Sequence, residues 1–182
     1  KNTTLGREGS DYTAAIFAYA LDAESVTIWK DVEGIMNADP RKFENAVLIP
    51  KLSYNDAIEL AYYGASVIHP KTIQPLKNKK IPLYVKSFLD MNTPGTEVVE
   101  NDSRTLNETQ CYIVKENQSL ITIASKDFSF IVEDNLEIIF NAINIAGIQL
   151  NLMQNSAISF MACFNEDAKK AEHLTALLKE RF

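Results

Sequence analysis

Residues 3–15 read TTLGREGSDYTAA, in which a glycine-rich loop runs directly into an apolar helical segment. Glycine lets the backbone approach a ligand closely, and the free N–H groups and positive dipole at a helix start favour a bound anion. Arg7 adds a planar guanidinium that suits a carboxylate or a phosphate. The stretch therefore predicts an anion held at a loop-to-helix junction. The alternative is a flexible loop before a capped helix, since Ser10 and Asp11 are also good N-cap residues.

Three further motifs follow along the chain. A buried-strand pattern, VTIW (26–29), leads into KDVEGIMNADPR (30–41), and GASVIHPKT (64–72) and PGT (94–96) come later. In this order and spacing the motifs resemble the C-terminal half of the catalytic domain of aspartokinases, which belong to the amino-acid kinase superfamily. The resemblance covers about residues 3–99, and it is specific because several independent motifs agree.

Composition limits the classes of protein to which the chain can belong. Its 182 residues, 46% of them apolar, suffice for one large domain or two small ones. The net charge of −6 without a dominant basic cluster indicates no nucleic-acid or anionic-membrane partner. The sequence has no apolar run long enough for a membrane helix or signal peptide. Two cysteines, Cys111 and Cys163, lack metal-ligand spacing and favour a reducing cytoplasm.

Residues 1–99 show the pattern of an α/β fold. Strands alternate with helices, which favours a sheet with substantial parallel pairing. Helices are expected over 11–21, 53–63 and 71–76, and strands over 25–30, 82–86 and 96–99. In the first helix five residues are available for a buried stripe: Ala14, Ala15, Phe17, Ala18 and Leu21. Ser53 followed by Asp56 resembles a capping box, and Gly64 is placed to end that helix. The resemblance identifies this part as the C-terminal half of an amino-acid kinase α/β sandwich.

The pattern changes after a polar linker, which we place at residues 100–117. Residues 118–182 predict the order β-α-β-β-α, with strands over 119–125, 148–153 and 157–164 and helices over 135–146 and 167–181. This order resembles an ACT domain, a small ferredoxin-like α+β module that binds effectors, without its last strand. The order is common in proteins, but directly after an aspartokinase-like segment it is stronger evidence. The resemblance implies that the last strand comes from further downstream in a complete protein.

The resemblance implies phosphoryl transfer from ATP, with Mg²⁺, to the side-chain carboxylate of L-aspartate. Asp11 matches the catalytic acid that organises a lysine, and that lysine lies in a Lys-Phe-Gly-Gly segment of the family. The 182 residues contain no such segment, so we expect them to be inactive on their own. Four positions match or adjoin those that hold the aspartate substrate: Thr4, Arg7, Gly9 and Ser10.

The resemblance also assigns a nucleotide site. Its positions are Lys30, Asp31, Met36, Arg41 and Ser66. Many aspartokinases instead carry threonine at position 30, tyrosine at 36 and lysine at 66, and we therefore consider Lys30 a candidate for the displaced charge. The alternatives are a turn residue at position 31 and a surface charge at position 41. His69 is expected to be structural, with its imidazole bonded to the backbone.

The second part is expected to bind an amino-acid effector, lysine or threonine. The positions that match effector sites in related modules are Ser129, Asp134, Asn135, Asn151, Gln154 and Asn155. The alternative is that the three residues at 151, 154 and 155 cap a strand turn. An unpaired sheet edge favours pairing with another chain, so we expect a homo-oligomer built through this part.

The leading interpretation is a fragment of an aspartokinase that includes one regulatory module. One rival is another amino-acid kinase, acting on glutamate or on a nucleoside monophosphate. The Asp-Pro-Arg motif (39–41) and the ACT-like second part count against that rival. The other rival is a non-catalytic module for effector binding or assembly.

Overall fold

The computed structural model describes residues 9–64, 67–100, 109–127, 129–179 and 181–182. The chain divides into two compact units, residues 1–114 and 115–182. Within the described ranges, no helix is both long and apolar enough to cross a bilayer.

The first unit is a mixed α/β fold, as the sequence predicts. Its described elements, in chain order, are α1 (Gly9–Ala20), β1 (Val26–Lys30), β2 (Lys51–Ser53), α2 (Tyr54–Tyr63), α3 (Pro70–Lys79), β3 (Leu83–Ser87) and β4 (Thr96–Val99). The strands lie in the order β1-β3-β4-β2. The pairs β1/β3 and β2/β4 are parallel, whereas β3 and β4 are antiparallel.

The core of this unit lies where the helices pack on the sheet. Alternate residues of β3, including Leu83 and Val85, are fully buried against α1 and α3 side chains such as Ala15 and Leu76. The hydroxyl of Tyr54 donates to the carbonyl of Ile81 at 2.7 Å. Burial, with the nearby charge of Glu100, raises the pKa of Tyr54 to about 12. The phenol therefore remains a neutral donor inside the core.

Capping residues set several helix ends. Ser53 Oγ accepts from the N–H of Asp56 at 3.1 Å, and Gly64, with φ of 128°, ends α2, so both predictions are confirmed. The Nδ1 of His69 accepts from the N–H of Lys71 at 3.1 Å and starts α3, which confirms its structural role. These bonds satisfy N–H groups that would otherwise lack a partner at each helix start.

Three details of the first unit differ from the sequence predictions. The three-residue strand β2 was not predicted, because so short a strand carries no readable alternation. The helix α3 runs past the predicted end at residue 76 and includes Pro75; its C-cap is Lys80, whose φ of 56° is left-handed and whose N–H donates to the carbonyls of Leu76 and Lys77. In α1 the buried face is Asp11, Ala15 and Ala18, at i, i+4 and i+7, whereas Phe17 and Leu21 are exposed.

The second unit is an antiparallel sheet with two helices. Its elements, in chain order, are β5 (Gln118–Ala124), α4 (Glu133–Ile145), β6 (Leu150–Asn155), β7 (Ser159–Asn165) and α5 (Ala168–Leu178). The strands lie in the order β5-β7-β6. The chain order β-α-β-β-α is the predicted one. Its separate core includes Ile123, Ile139, Phe160 and Leu174.

The predicted linker, residues 100–117, requires a correction. Residues 101–108 lie outside the described residues, but 109–114 pack as part of the first unit. The N–H of Tyr112 donates to the carbonyl of Asn37 at 2.8 Å, and the rings of Tyr112 and Phe43 stack at 6.1 Å. The sequence CYIV (111–114) is apolar, which is the signal that favours packing over a solvated linker.

We predict that Gly95→Ala strongly destabilises the first unit. Gly95 has φ of +75°, and an added Cβ would lie 2.2 Å from the carbonyl oxygen of Val85. Gly64→Ala is the matched control, because its φ is also positive but the added Cβ would meet only Ile113, at 3.5 Å. Both variants incur backbone strain of about 1–2 kcal/mol, and Gly95→Ala adds about 1–3 kcal/mol of overpacking. Urea unfolding followed by the fluorescence of Trp29 measures the difference, and equal midpoints would contradict the prediction.

A second prediction concerns the core of the second unit. Leu174 is fully buried in α5, whereas Leu177 of the same helix is 39% exposed. Leu174→Ala should lower the free energy of unfolding of this unit by about 2–5 kcal/mol. Leu177→Ala should cost about 0.5 kcal/mol or less. Hydrogen exchange of the β7 amides measures both effects, and similar protection in the two variants would show that α5 does not complete this core.

Candidate active site

The N-terminus of α1 forms one side of the candidate site. Asp11 lies in the first turn, where the helix dipole favours negative charge. The hydroxyl of Ser10 lies 3.4 Å from Asp11 Oδ1, and Thr13 Oγ1 donates to the carbonyl of Gly9 at 2.7 Å. The structure therefore places Gly9, Ser10 and Asp11 together at one helix start. Thr4 and Arg7 lie outside the described residues.

A largely buried ion pair joins this helix start to β1. Lys30 is the last residue of β1, and its Nζ lies 2.6 Å from Asp11 Oδ2. The two side chains are only 22% and 10% exposed, respectively. From the sequence, these residues are predicted to belong to separate sites, one catalytic and one for the nucleotide. The structure brings them into direct contact.

A cavity of about 730 Å³ opens beside Lys30. Its lining consists of residues 30–41 together with Leu60, Gly64, Val67, Tyr112, Ile113 and Val114. One part of the lining is charged and the other is apolar. A volume of this size is in the usual range for pockets that bind small molecules and cofactors. The cavity can therefore take a ligand with one polar end and one apolar end.

The loop that lines the cavity is held by the side chain of Asn37. Its Oδ1 accepts from the N–H of Val47 at 2.8 Å, and its Nδ2 donates to the carbonyl of Gln110 at 3.2 Å. Its main chain bonds Val47 at 3.0 Å and Tyr112 at 2.8 Å. Asn37 thus joins three chain segments, and the sequence analysis did not select it. Its place inside the motif at 30–41 was the signal that could have found it.

A buried threonine fixes the other end of the same loop. Thr96 Oγ1 accepts from the N–H of Ile35 at 2.8 Å and donates to the carbonyl of Ile49 at 2.7 Å. A Cβ on Gly34 would lie 2.7 Å from both Thr96 Oγ1 and the Leu48 side chain. Gly34 therefore lies in close contact with Thr96 of the PGT motif, and this contact requires the absence of a side chain at position 34.

Arg41 lies at the rim of the cavity and already has an anionic partner. Its Nε and one terminal nitrogen donate to the two carboxylate oxygens of Asp39 at 3.0 and 2.8 Å. This guanidinium, mainly through its hydrogen bonds, holds the pKa of Asp39 below its usual value. The Arg41 side chain is 86% exposed. A phosphate would have to share Arg41 with Asp39 or displace it.

The other predicted nucleotide residues are placed as follows. Asp31 is exposed and lines the cavity directly after Lys30. Met36 also lines it and forms an isolated antiparallel bridge with Leu48. Ser66 lies outside the described residues. The apolar wall formed by residues 112–114 was missed, because the sequence analysis assigned those residues to a linker.

The predicted effector residues fall into two groups in the second unit. Five of them lie at the end of the sheet where β5 and β6 finish or in the adjoining loop and helix start: Ser129, Asp134, Asn135, Gln154 and Asn155. The Oδ1 of Asn135 accepts from the N–H of Val132 at 3.1 Å and so caps its own helix. Asn151 begins the same strand as Gln154, about 10 Å away along the chain direction.

Asn151 belongs to a network of amides at the far end of the sheet. Its Nδ2 donates to Gln118 Oε1 at 2.5 Å and to Asn165 Oδ1 at 2.8 Å. Its Oδ1 accepts from Lys115 Nζ at 2.6 Å. These bonds engage both ends of the amide. In this single chain Asn151 is therefore separated from the other five predicted residues.

Comparisons with known proteins identify the relatives of the chain. The model described as "Amino acid kinase family" matches residues 1–87. The bifunctional aspartokinase/homoserine dehydrogenase 2 of Zea mays is 33% identical over 184 residues, which is 99% of this chain and 20% of the relative. The chain thus spans about a fifth of the length of the curated relatives that match it over nearly all its residues.

Solved structures of E. coli aspartokinase III match in two states. The complex with lysine and aspartate has a TM-score of 0.75 at 33% identity, covering 98% of this chain and 41% of that one. The complex with aspartate and ADP has a TM-score of 0.72 at 33% identity, covering 98% and 40%. Residues 1–87 therefore belong to the amino acid kinase family, and the chain is similar over nearly its whole length to aspartokinases.

Proposed function

We propose that the chain is part of an aspartate kinase, which transfers a phosphoryl group from ATP to the side-chain carboxylate of L-aspartate and forms 4-phospho-L-aspartate. One observation carries the proposal: a cavity of about 730 Å³ opens beside a cation held at the start of a helix. The 33% identical E. coli aspartokinase III, with aspartate and ADP bound, supports it.

The proposed reaction needs alignment and charge neutralisation more than covalent help. A carboxylate oxygen of aspartate attacks the γ-phosphorus, the bond to the bridging oxygen breaks, and ADP leaves with the electron pair. The N-terminus of α1, with Gly9 and Ser10, suits the anionic groups of the acceptor. Thr4 and Arg7 are assigned to the same substrate by the resemblance alone.

We place the nucleotide in the cavity, with its phosphates at the charged part of the lining and its base at the apolar part. Lys30 and Arg41 supply positive charge, and Asp31 can accept from a ribose hydroxyl, an adenine amine or a metal-bound water. The other two residues of the proposed nucleotide site are Met36 and Ser66. Magnesium enters with ATP as part of the substrate and is held largely by phosphates and water.

The 182 residues alone are expected to be inactive, because they contain no Lys-Phe-Gly-Gly segment to supply the family's catalytic lysine. Activity is therefore a property of the complete protein. Its expected cytoplasmic location remains a prediction, and the plant relatives are described as chloroplastic.

For the second unit we propose an ACT-type regulatory role. Its β-α-β-β-α order is supported by the match over 98% of the chain to aspartokinase III with lysine bound. The proposed contacts for lysine or threonine are the five predicted residues at one end of the sheet, together with Asn151 from the other end of β6. The five are Ser129, Asp134, Asn135, Gln154 and Asn155. The outer strands β5 and β6 each have one unpaired edge among the described strands, which favours a homo-oligomer built through this unit.

A non-catalytic module for amino-acid binding or assembly is the second candidate. The observation that favours it is the separate core of the second unit. Activity of the complete protein distinguishes the two, because a module of this kind would bind an effector without turnover.

The third prediction tests catalysis in the complete protein. Asp11→Asn should lower kcat for aspartate-dependent ADP formation by about 10²-fold or more, because a charge that aligns groups in the transition state is removed. Glu59→Gln, an exposed acid of α2, is the control and should keep normal turnover. Circular dichroism confirms that each variant folds. Near wild-type turnover by folded Asp11→Asn, or a parent that prefers glutamate, contradicts the assignment.

The fourth prediction concerns regulation. An amide can donate to a carboxylate and accept from an ammonium, which suits an α-amino acid. Losing such bonds costs roughly 1–3 kcal/mol, so Gln154→Ala should weaken feedback inhibition about tenfold or more and leave uninhibited activity near normal. Titration of lysine and threonine against both forms is the measurement, with Glu172→Ala on the exposed side of α5 as control. Identical responses of Gln154→Ala and the parent would sink the effector-site proposal.

A further inference from the structure

We propose that Lys30 is a catalytic residue: its ammonium binds the phosphates of the donor and stabilises the charge of the transferred group, and Asp11 positions it. The inference rests on the proposed kinase function and assigns a catalytic cation within its site. Many aspartokinases carry threonine at the position of Lys30, so the chain departs from the family pattern at this residue.

The backbone of Lys30 is held by the neighbouring strand β3. Lys30 pairs with Ser87 in the parallel ladder of β1 and β3, and its carbonyl accepts from the N–H of Phe88 at 2.9 Å. It lies two residues after Ile28, on the same face of β1, and Ile28 packs in the core with α1. The side chain therefore extends from a rigid strand end toward the start of that helix.

The environment of the ammonium favours a functional role over a stabilising one. Lysine side chains are mostly exposed, and a largely buried one requires a partner. Asp11, at 2.6 Å, is that partner. A buried ion pair is nevertheless weak evidence for stability, because desolvation of both charges offsets their attraction. A role of the Lys30 cation in binding a ligand would explain why such a pair lies at the edge of a large cavity.

The ammonium has the capacity to bind that ligand. Lysine carries three N–H donors on one charged nitrogen, and Asp11 Oδ2 lies 2.6 Å from that nitrogen as its ion-pair partner. Lys30 also lines the cavity, so its ammonium is placed to meet an anion there. A phosphate is the anion that matches a compact point charge beside a helix N-terminus.

Lys30 is better ordered for this role than Arg41. The Arg41 guanidinium is 86% exposed and already makes two bonds to Asp39. Its use would require a rearrangement at the rim of the cavity. The Lys30 ammonium is held in place before a nucleotide binds, which is the condition for efficient electrostatic stabilisation of a transition state.

During transfer, Lys30 acts through its charge and its N–H donors and takes part in no covalent step. The carboxylate oxygen of aspartate forms the new bond to the γ-phosphorus as the bond to the β,γ-bridging oxygen breaks, and ADP takes the electron pair. The Lys30 ammonium donates to phosphate oxygens on which negative charge is concentrated. Asp11 holds the ammonium in place through their ion pair at 2.6 Å.

The test compares Lys30→Met, Lys30→Arg and the control Lys51→Met in the complete protein. Lys51 is also ion-paired, to Glu97 at 3.3 Å, but is not among the residues that line the cavity. We expect Lys30→Met to lower kcat by about 10²-fold or more, with a raised KM for ATP and an unchanged KM for aspartate. Lys30→Arg should recover part of kcat, and Lys51→Met should be normal. If Lys30 had only a structural role, Lys30→Met would lower the melting temperature. It would not combine a lower kcat and a raised KM for ATP with an unchanged KM for aspartate.

Three further outcomes would count against the inference or against the proposed function. If Lys30→Met does not fold because Asp11 is left unpaired, the neutral pair Lys30→Met with Asp11→Asn replaces it, and near-normal kcat in that folded double variant overturns the inference. Near-normal kcat in folded Lys30→Met does the same and leaves the kinase function intact. A parent protein without aspartate-dependent ADP formation instead contradicts the proposed function itself.

Discussion

The geometry of the candidate site depends on the hydroxyl of Thr96, which is fully buried and bonds the two sides of the cavity loop at once. It accepts from Ile35 and donates to Ile49, at 2.8 and 2.7 Å. Both backbone groups would otherwise be buried without this partner, at a cost of roughly 1–3 kcal/mol each. The small size of Gly34 allows the close approach, since a Cβ there would overlap Thr96. The cavity loop and β4, with the motifs that contain Gly34 and Gly95, therefore meet in one contact. Each of these parts depends on the others for its position.

The electrostatics of the site follow from where this scaffold places its charges. The scaffold brings the end of β1 to the start of α1, so that Lys30 meets Asp11 with little access to water. At the rim, Asp39 and Arg41 are close in the chain and pair in solvent, where attraction is weak and screened. The two ion pairs thus differ in kind. The inner pair is enclosed by the packing of α1 and β1, whereas the Arg41 side chain of the outer pair is open to solvent.

The sequence predicted most elements of both units because the apolar period and the capping residues are local signals. The local sequence around Ser53, Gly64 and His69 correctly predicts that each of them caps a helix end. Contacts between distant segments were not readable in the same way. Lys30 and Asp11 are 19 residues apart by their numbers, and no local pattern states that they touch. The same limit applies to Asn37, whose partners at 47, 110 and 112 come from two other segments.

The stretch at 109–114 illustrates how the linker assignment failed and what the correction means. A polar run before it suggested a solvated connection, but Tyr112 adds a parallel bridge at Ala38 and stacks on Phe43. The same residues form the apolar wall of the cavity and continue directly into Lys115, which bonds Asn151 at the start of β6. The contacts of Tyr112 with Asn37, Ala38 and Phe43 make this segment part of the first unit rather than a linker.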